Sequence, residues 1–128
     1  MIKVFTDGGA RGNPGPAAIG VVIGDKNYSK YIGRRTNNQA EYEAIIFALE
    51  QAKKLKLQEL EINLDSELAC KQLNREYKVK DKDLQPLFIK ALNLSLDFQK
   101  IIFKHIPREQ NKKADKLVNQ ELKKQCFI

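Results

Sequence analysis

The chain has 128 residues, 42% of them hydrophobic and 30% charged, which is typical of one globular domain with a single core. Its apolar runs are too short for a bilayer span and its start has no signal-peptide pattern, so we expect a cytoplasmic protein that does not enter a membrane. A net charge of +7 favours a polyanionic partner, although surplus lysine also promotes solubility.

The first part of the chain is predicted to form three consecutive strands. Residues 2–6 make the first strand, with Asp7 at its end, and residues 18–23 make the second. Between them, residues 7–16 are rich in turn formers, which indicates either a plain loop or a glycine backbone that approaches a ligand closely. A turn at residues 24–27 leads into a third strand over about 28–33, so these strands pair antiparallel.

A helical pattern follows over residues 42–55. Its apolar residues share one face at a 3.6-residue period: Ala44, Ile45, Ala48, Leu49 and Ala52. Glu41 precedes Ala44 and Ile45 by three and four residues, so it lies on the same inward face. An unpaired buried carboxylate costs several kcal/mol or loses its charge. Glu41 is therefore either a functional group or an N-terminal glutamate favoured by the helix dipole.

The middle of the chain continues with a strand and a short helix. Residues 60–65 alternate as a fourth strand that ends in Asp65, and Ser66 can cap a helix from residue 67 to about 74. Residues 77–83 are charged and irregular, which indicates a link between two elements. This part of the chain thus repeats the pattern of a strand that ends in an aspartate.

The last third contains a helix, a strand and a final helix. Pro86 fits the first turn of the first of these helices. Residues 101–106 form a fifth strand that Pro107 stops, and Asn111 opens the last helix, with Asp115 one turn in. The whole predicts an α/β fold on one mixed sheet, an antiparallel meander followed by alternating helices and strands, in a single domain over residues 1–128.

Four carboxylates occupy comparable positions, at strand ends or helix beginnings: Asp7, Glu41, Asp65 and Asp115. Ligands of such sheets gather at strand ends beside helix N-termini. Acids that converge there would repel one another unless cations lay between them, and all-oxygen ligands suit Mg²⁺ or Mn²⁺. Two such ions about 3.5–4 Å apart can support phosphodiester hydrolysis. Without convergence, each carboxylate is an ordinary turn or cap residue.

Cysteine and histidine offer no competing metal site. Cys70 and Cys126 have no metal-like spacing, and His105 is the single histidine. In a cytosolic protein the two cysteines are expected to be reduced packing residues, although a bridge that tethers the C-terminus stays open. Any metal site must therefore be built from carboxylates.

Several segments together make the sequence resemble type 1 ribonuclease H, in order and spacing across nearly the whole chain. They are Thr-Asp-Gly-Gly-Ala from Thr6 with Gly-Asn-Pro-Gly from Gly12, Thr-Asn-Asn-Gln-Ala-Glu from Thr36, Leu-Asp-Ser from Leu64 and Asn-Lys-Lys-Ala-Asp-Lys-Leu from Asn111. The resemblance implies a five-stranded sheet whose second and third strands run antiparallel to the rest. It implies endonucleolytic hydrolysis of the RNA strand of RNA–DNA hybrids, giving 5′-phosphate and 3′-hydroxyl ends. It also implies that the four carboxylates form the catalytic set and bind two Mg²⁺ or Mn²⁺ ions.

The same resemblance implies residues that contact the hybrid, which are Gly8, Asn13, Arg34, Thr36, Asn37, Asn38 and Gln39. The amide side chains fall where the family reaches ribose 2′-hydroxyls or bases in the minor groove, a task that suits groups with both donors and acceptors. Arg34 and Thr36 fall where the family holds a phosphate of the DNA strand. One of Asn37 and Asn38 is also expected to cap the helix.

Two departures from the family pattern are visible. Residues 77–80 replace a long basic protrusion, and no hybrid-binding domain is expected, so the chain resembles a compact form with weak substrate binding. The loop at 107–110 lacks the histidine that stands there in much of the family. An alignment without a gap puts His105 in that role. We prefer the alternative, in which His105 is packed in the strand and Arg108 assists from the loop.

Two other functions stay open, an inactive nucleic-acid-binding module and a nuclease of this fold that acts on duplex RNA or DNA junctions. Four carboxylates argue against a pure binder, which would gain affinity by losing negative charge near phosphates. The amide residues favour a substrate with 2′-hydroxyls, a property that duplex RNA shares with the hybrid. The sequence therefore predicts a monomeric nuclease whose partner is an RNA–DNA hybrid.

Overall fold

A computed structural model describes residues 1–125 of the chain. Five strands form one mixed sheet in the order β3-β2-β1-β4-β5. Their bounds are β1 Ile2–Ala10, β2 Gly15–Ile23, β3 Lys26–Arg35, β4 Glu59–Leu64 and β5 Lys100–His105. β2 pairs antiparallel with β1 and with β3, whereas β4 pairs parallel with β1 and with β5. The predicted meander followed by alternating helices and strands is confirmed.

Four α-helices and one short 3₁₀ helix connect or follow the strands. Their bounds are α1 Asn37–Lys54, α2 Glu67–Leu73, α3 Gln85–Ser95, α4 Lys112–Gln125 and the 3₁₀ helix Arg108–Gln110. Ser66 caps α2 as predicted, with its hydroxyl accepting a hydrogen bond from the Ala69 N–H. Within residues 1–125, none of the helices combines the length and the apolar character needed to cross a bilayer.

Two predictions about the strands are wrong. Asp7 lies inside β1, because residues 7–10 continue to pair with β2, where Asp7 stands opposite Gly20. The parallel pairing of β1 with β4, however, ends at Thr6 opposite Leu64, so Asp7 and Asp65 both follow its last pair. The expectation that the second and third strands both oppose the rest also fails. Each hairpin turn reverses the chain, so β3 regains the direction of β1 and only β2 is reversed.

The two faces of the sheet carry cores of very different size. The five apolar residues predicted for the inward face of α1 are all fully buried, in a large cluster that includes Ile19, Val21 and Ile23 of β2. The opposite face holds a small cluster of Ala18 of β2 with Val118 and Leu122 of α4. Because successive strand residues point to opposite faces, this alternation places α1 and α4 on opposite sides of β2.

Of the two cysteines, Cys70 lies within the described residues. Cys70 is buried, and its thiol lies 3.6 Å from the carbonyl oxygen of Phe103, which accepts its weak hydrogen bond. Burial also raises the pKa of this thiol, with a smaller contribution from the charge of Glu76. Cys126 lies outside the described residues. Cys70 thus behaves as the packing residue that was predicted.

Candidate active site

Three of the four predicted carboxylates meet at one edge of the sheet. Asp7, Glu41 and Asp65 each offer an oxygen that lies within 4.8 Å of the others. They arrive from β1, from the first turns of α1 and from the residue after β4. Asp7 is buried, with 7% of its surface exposed, and the other two are half-buried. Hard oxygen ligands at this spacing are suited to a divalent cation.

Asp115 lies in the same cleft, at the start of α4. Its carboxylate is close enough to Asp7 for its negative charge to raise the pKa of that side chain. Asn119, one turn further along the helix, donates its Nδ2 to an Asp115 oxygen at 3.3 Å. The four predicted acids thus border one cleft of about 420 Å³. We call this the acidic cleft, defined by Asp7, Glu41, Asp65 and Asp115.

Two glycines allow the helices to bring their acids to Asp7. A Cβ on Gly8 would lie 2.1 Å from the carbonyl oxygen of Ala40, the residue before Glu41. A Cβ on Gly20 would lie 2.3 Å from the carbonyl oxygen of Ala114, the residue before Asp115. Only glycine permits such approaches. The close approach predicted for the glycine backbone is therefore made, at Gly8, to helix α1.

The electrostatics of the acidic cleft are unfavourable when the acids are all charged. Burial, and after it the charges of Asp65 and Asp115, raise the pKa of Asp7 to about 7. Burial and the charges of Asp7 and Asp65 raise the pKa of Glu41 well above its usual value. Buried like charges are stable only with protons or cations between them. The donor set and its charge therefore fit a divalent metal site.

The helix cap at the rim of the cleft differs from the predicted one. Thr36 is the N-cap of α1, because its hydroxyl accepts from the Gln39 N–H at 3.1 Å. The Gln39 side chain in turn accepts from the Thr36 N–H at 2.9 Å. The prediction that Asn37 or Asn38 caps the helix is wrong. A Thr-x-x-Gln capping box was visible at residues 36–39 and explains why.

The capping box leaves Asn37 and Asn38 available, and both line the cleft. Asn37 accepts from the Ala10 N–H through its Oδ1 at 2.8 Å. Asn13 accepts from the Asn37 N–H through its Oδ1 at 3.1 Å. These bonds occupy the acceptor atoms of both amides and tie the loop after β1 to the start of α1. The amide nitrogens keep their hydrogens for a bound partner.

The two candidates for the auxiliary role occupy different surroundings. Arg108 begins the 3₁₀ helix and lines the acidic cleft. His105 is the last residue of β5, opposite Leu64, and is exposed. It is absent from the lining of the cleft in the part of the chain that the structure describes. The position in the strand agrees with our prediction, whereas the expectation of a packed histidine is wrong, because the strand ends there.

Arg34 and Asn111 differ in their relation to the acidic cleft. Arg34 is exposed near the end of β3, beyond the cleft lining among described residues. Asn111, predicted merely to open the last helix, is buried and donates its Nδ2 to an Asp65 oxygen at 2.9 Å. Sequence reasoning missed this contact. The available signal was a polar residue directly before an amphipathic helix, which local patterns read as a cap.

Comparison with known sequences identifies similar proteins. A family model described as reverse transcriptase-like matches residues 5–121. Ribonuclease HI of Halobacterium salinarum is 41% identical over 127 residues, which cover 94% of this chain and 64% of that protein. Ribonuclease H of Pseudomonas entomophila is 32% identical over 138 residues, which cover 93% of this chain and 91% of that protein.

Other matches are to longer proteins. A bifunctional protein of Mycobacterium tuberculosis is 38% identical over 128 residues, which cover 94% of this chain. The aligned region makes up 35% of that protein, so this chain spans about a third of its length. The match therefore concerns one part of the larger protein.

Solved structures of RNase H1 proteins are similar to this chain in fold and in sequence. The crystal structure of RNase H1 from Halobacterium salinarum superimposes with a TM-score of 0.93 at 40% identity, covering 96% of this chain and 98% of that one. LC11-RNase H1, solved in complex with an RNA/DNA hybrid, has a TM-score of 0.92 at 46% identity, covering 98% of this chain and 99% of that one. At these identities the agreement extends over the whole sheet and its helices.

Proposed function

Because this chain belongs to the type 1 ribonuclease H family, we propose that it hydrolyses the RNA strand of RNA–DNA hybrids as an endonuclease, leaving 5′-phosphate and 3′-hydroxyl ends. The observation that carries the proposal is the meeting of Asp7, Glu41 and Asp65 within 4.8 Å of one another. Three acids that converge from distant parts of the chain repel one another unless protons or cations lie between them, and their oxygen ligands suit a divalent cation. The structure of a similar protein with an RNA/DNA hybrid supports the choice of substrate.

The four acids of the acidic cleft would hold two divalent ions, Mg²⁺ or Mn²⁺. When bound, these ions supply activation of the attacking water and neutralisation of the leaving oxygen. The chain contributes a rigid set of ligands, because each acid lies on or next to a regular element. It also contributes a cleft open enough for a phosphate, with a volume of about 420 Å³.

The amide residues at the rim would select the RNA strand. The side chains of Asn13 and Asn37 use their Oδ1 atoms within the protein, so they meet a substrate as donors. Ribose 2′-oxygens and the minor-groove acceptors of bases are the matching partners. Asn38, Gln39 and the Gly8 backbone would add contacts along the same strand.

Positively charged groups would hold the phosphates. Arg108 lines the cleft, and its planar guanidinium is suited to a phosphate near the reacting bond. Arg34 and Thr36 would bind a phosphate of the DNA strand. Neither residue lines the acidic cleft among the described residues, so this contact would contribute to affinity.

One gel experiment tests the proposal. Labelled RNA–DNA hybrid, duplex RNA, duplex DNA and single strands are incubated with the protein, with and without Mg²⁺ or Mn²⁺, beside the variant Asp65→Asn. We expect internal cuts in the RNA of the hybrid that need a divalent metal and Asp65. Cleavage of duplex RNA at an equal rate would instead support a broader nuclease. Binding of the hybrid without any cleavage would identify an inactive module.

A further inference from the structure

Asn111 lies directly before α4 and is almost completely enclosed, with 1% of its surface exposed. Its Nδ2 donates two hydrogen bonds, to the carbonyl oxygen of Thr6 and to Oδ2 of Asp65, each at 2.9 Å. Its backbone carbonyl oxygen accepts from the Asp115 N–H at 3.1 Å. One residue thus contacts Asp65 directly and is joined to the backbone beside Asp7 and at Asp115.

The two donated bonds differ in their physical character. The bond to Thr6 is a neutral bond between an amide and a carbonyl, of a kind that fixes a helix to a strand. The bond to Asp65 is assisted by the charge of a carboxylate, and such bonds are about twice as strong. Asp65 follows the last residue of β4 and is half-buried, so its side chain can rotate unless something fixes one oxygen.

The two ends of the Asn111 amide differ in their protein partners. Among residues 1–125, hydrogen bonds to protein atoms leave from its Nδ2, and none reaches its buried Oδ1. The donating end of the amide therefore makes the contact with the acidic cleft.

We propose that Asn111 is a positioning residue that holds the Asp65 carboxylate in the orientation in which it joins Asp7 and Glu41 as a metal ligand. The proposal rests on the proposed function, because the metal that Asp65 binds is taken to be the one used in hybrid cleavage. Groups that orient the ligands of a metal typically change metal affinity or activity by about 10–100-fold when they are removed. The same range is expected for Asn111.

Asn63 provides a matched control. It is also a buried asparagine, with 3% of its surface exposed, and its Nδ2 donates to the carbonyl oxygen of Val4 at 3.2 Å. Its other bonds go to the backbone and side chain of Glu61 at 3.2 and 3.1 Å. Both asparagines thus attach to a carbonyl of β1, but only Asn111 donates to an acid of the cleft.

The experiment compares the intact chain with Asn111→Ala, Asn111→Leu and Asn63→Ala. Calorimetric titration with Mn²⁺ and the Mg²⁺ dependence of hybrid cleavage are measured for each, together with urea unfolding in EDTA. We expect both Asn111 variants to bind Mn²⁺ about 10-fold more weakly or worse and to need correspondingly more Mg²⁺. The KM for the hybrid should change less than twofold. Asn63→Ala should lose stability but keep its metal affinity.

Asn111→Leu keeps the size and branching of the side chain and removes the donor without adding charge, so it remains informative if Asn111→Ala does not fold. Metal affinity of either Asn111 variant within twofold of that of Asn63→Ala would overturn the proposal. Failure of the intact chain to cleave any hybrid would refute the proposed function. Calorimetry would still decide whether Asn111 orients Asp65 in that case, because it does not depend on cleavage.

Discussion

The acidic cleft and the segment at residues 77–83, which we call the basic link, are built in opposite ways. The acids lie on or beside regular elements and are buried or half-buried, and hydrogen bonds reach Asp65 and Asp115. In the basic link, Lys78 and Lys80 are exposed and belong to neither a helix nor a strand. Chemistry that depends on precise distances needs a rigid frame, whereas attraction to phosphates needs only exposed charge.

The difference also has an energetic side. Burying the acids costs stability, as the raised pKa values of Asp7 and Glu41 indicate, and the large core under α1 offsets that cost. Solvated lysines of the basic link carry no comparable burial cost. A change in the acidic cleft should therefore alter rate and stability, whereas a change in the basic link should alter affinity alone.

The largest expected effect is loss of cleavage in Asp65→Asn. The variant removes one ligand charge but keeps an oxygen that can accept from Asn111, so the fold should survive and gain stability in EDTA from reduced repulsion. Cleavage of labelled hybrid in Mg²⁺ or Mn²⁺ should fall by at least about 100-fold, or about 2.7 kcal/mol. Residual activity above a few per cent of wild type would contradict the role of this acid.

A second prediction concerns stability against pH in EDTA. The folded pKa of Asp7 is raised from 3.8 to about 7, so its protonated form favours folding below pH 4 and this contribution is lost as pH rises through 7. Urea unfolding should show the wild type losing about 4 kcal/mol relative to Asp7→Asn between pH 4 and 8. Excess Mg²⁺ at pH 8 should restore most of the stability that the wild type loses. A difference in unfolding free energy between the two proteins that stays constant with pH would mean that the pKa of Asp7 is not raised in the folded state.

Arg108→Ala tests the edge of the acidic cleft. Loss of a fixed positive charge next to the reacting phosphate should lower kcat by about one order of magnitude, or about 1.4 kcal/mol. Steady-state kinetics on hybrid measure this, and Arg108→Lys, which keeps the charge without the guanidinium, should recover part of the rate. An unchanged kcat in Arg108→Ala would show that Arg108 does not assist the reaction.

Neutralising the basic link should give the opposite kinetic pattern. In the double variant Lys78→Gln, Lys80→Gln, we expect KM for hybrid to rise about three- to fivefold at low salt while kcat falls less than twofold. Lys54→Gln with Lys56→Gln, near the end of α1 remote from Glu41, is a charge-matched control and should change KM less. A larger effect on kcat than on KM would place these lysines in the chemistry or in folding.

The smallest effect is expected for His105→Ala. The side chain is exposed at the end of β5, so stability should change by about 0.5 kcal/mol or less and kcat by less than twofold. Denaturant unfolding and a pH–rate profile check both statements. A severe loss of kcat in a folded variant, with activity that follows a group titrating near pH 6–7, would restore the alignment that gives His105 the catalytic role.

Most of the element order follows from local sequence patterns, and these patterns together with the family resemblance single out the four acids. The period of the apolar residues identified the buried face of α1, and alternation identified β4 together with the aspartate that follows it. These signals are local, because they depend on which side of one helix or strand a residue faces. For that reason the prediction placed Glu41 and Asp65 in the correct settings without knowledge of any contact.

The way in which these acids meet depends on contacts between distant segments. Pairing with β2 put Asp7 inside a strand, and helix approach at Gly8 and Gly20 set the separation of the acids. The bond from Asn111 to Asp65 joins residues 46 positions apart. Such features depend on strand register and helix–sheet distance, which arise between segments remote in the chain. A local pattern holds no information about them. The acids of the cleft could therefore be predicted from the sequence, whereas the contacts that position them could not.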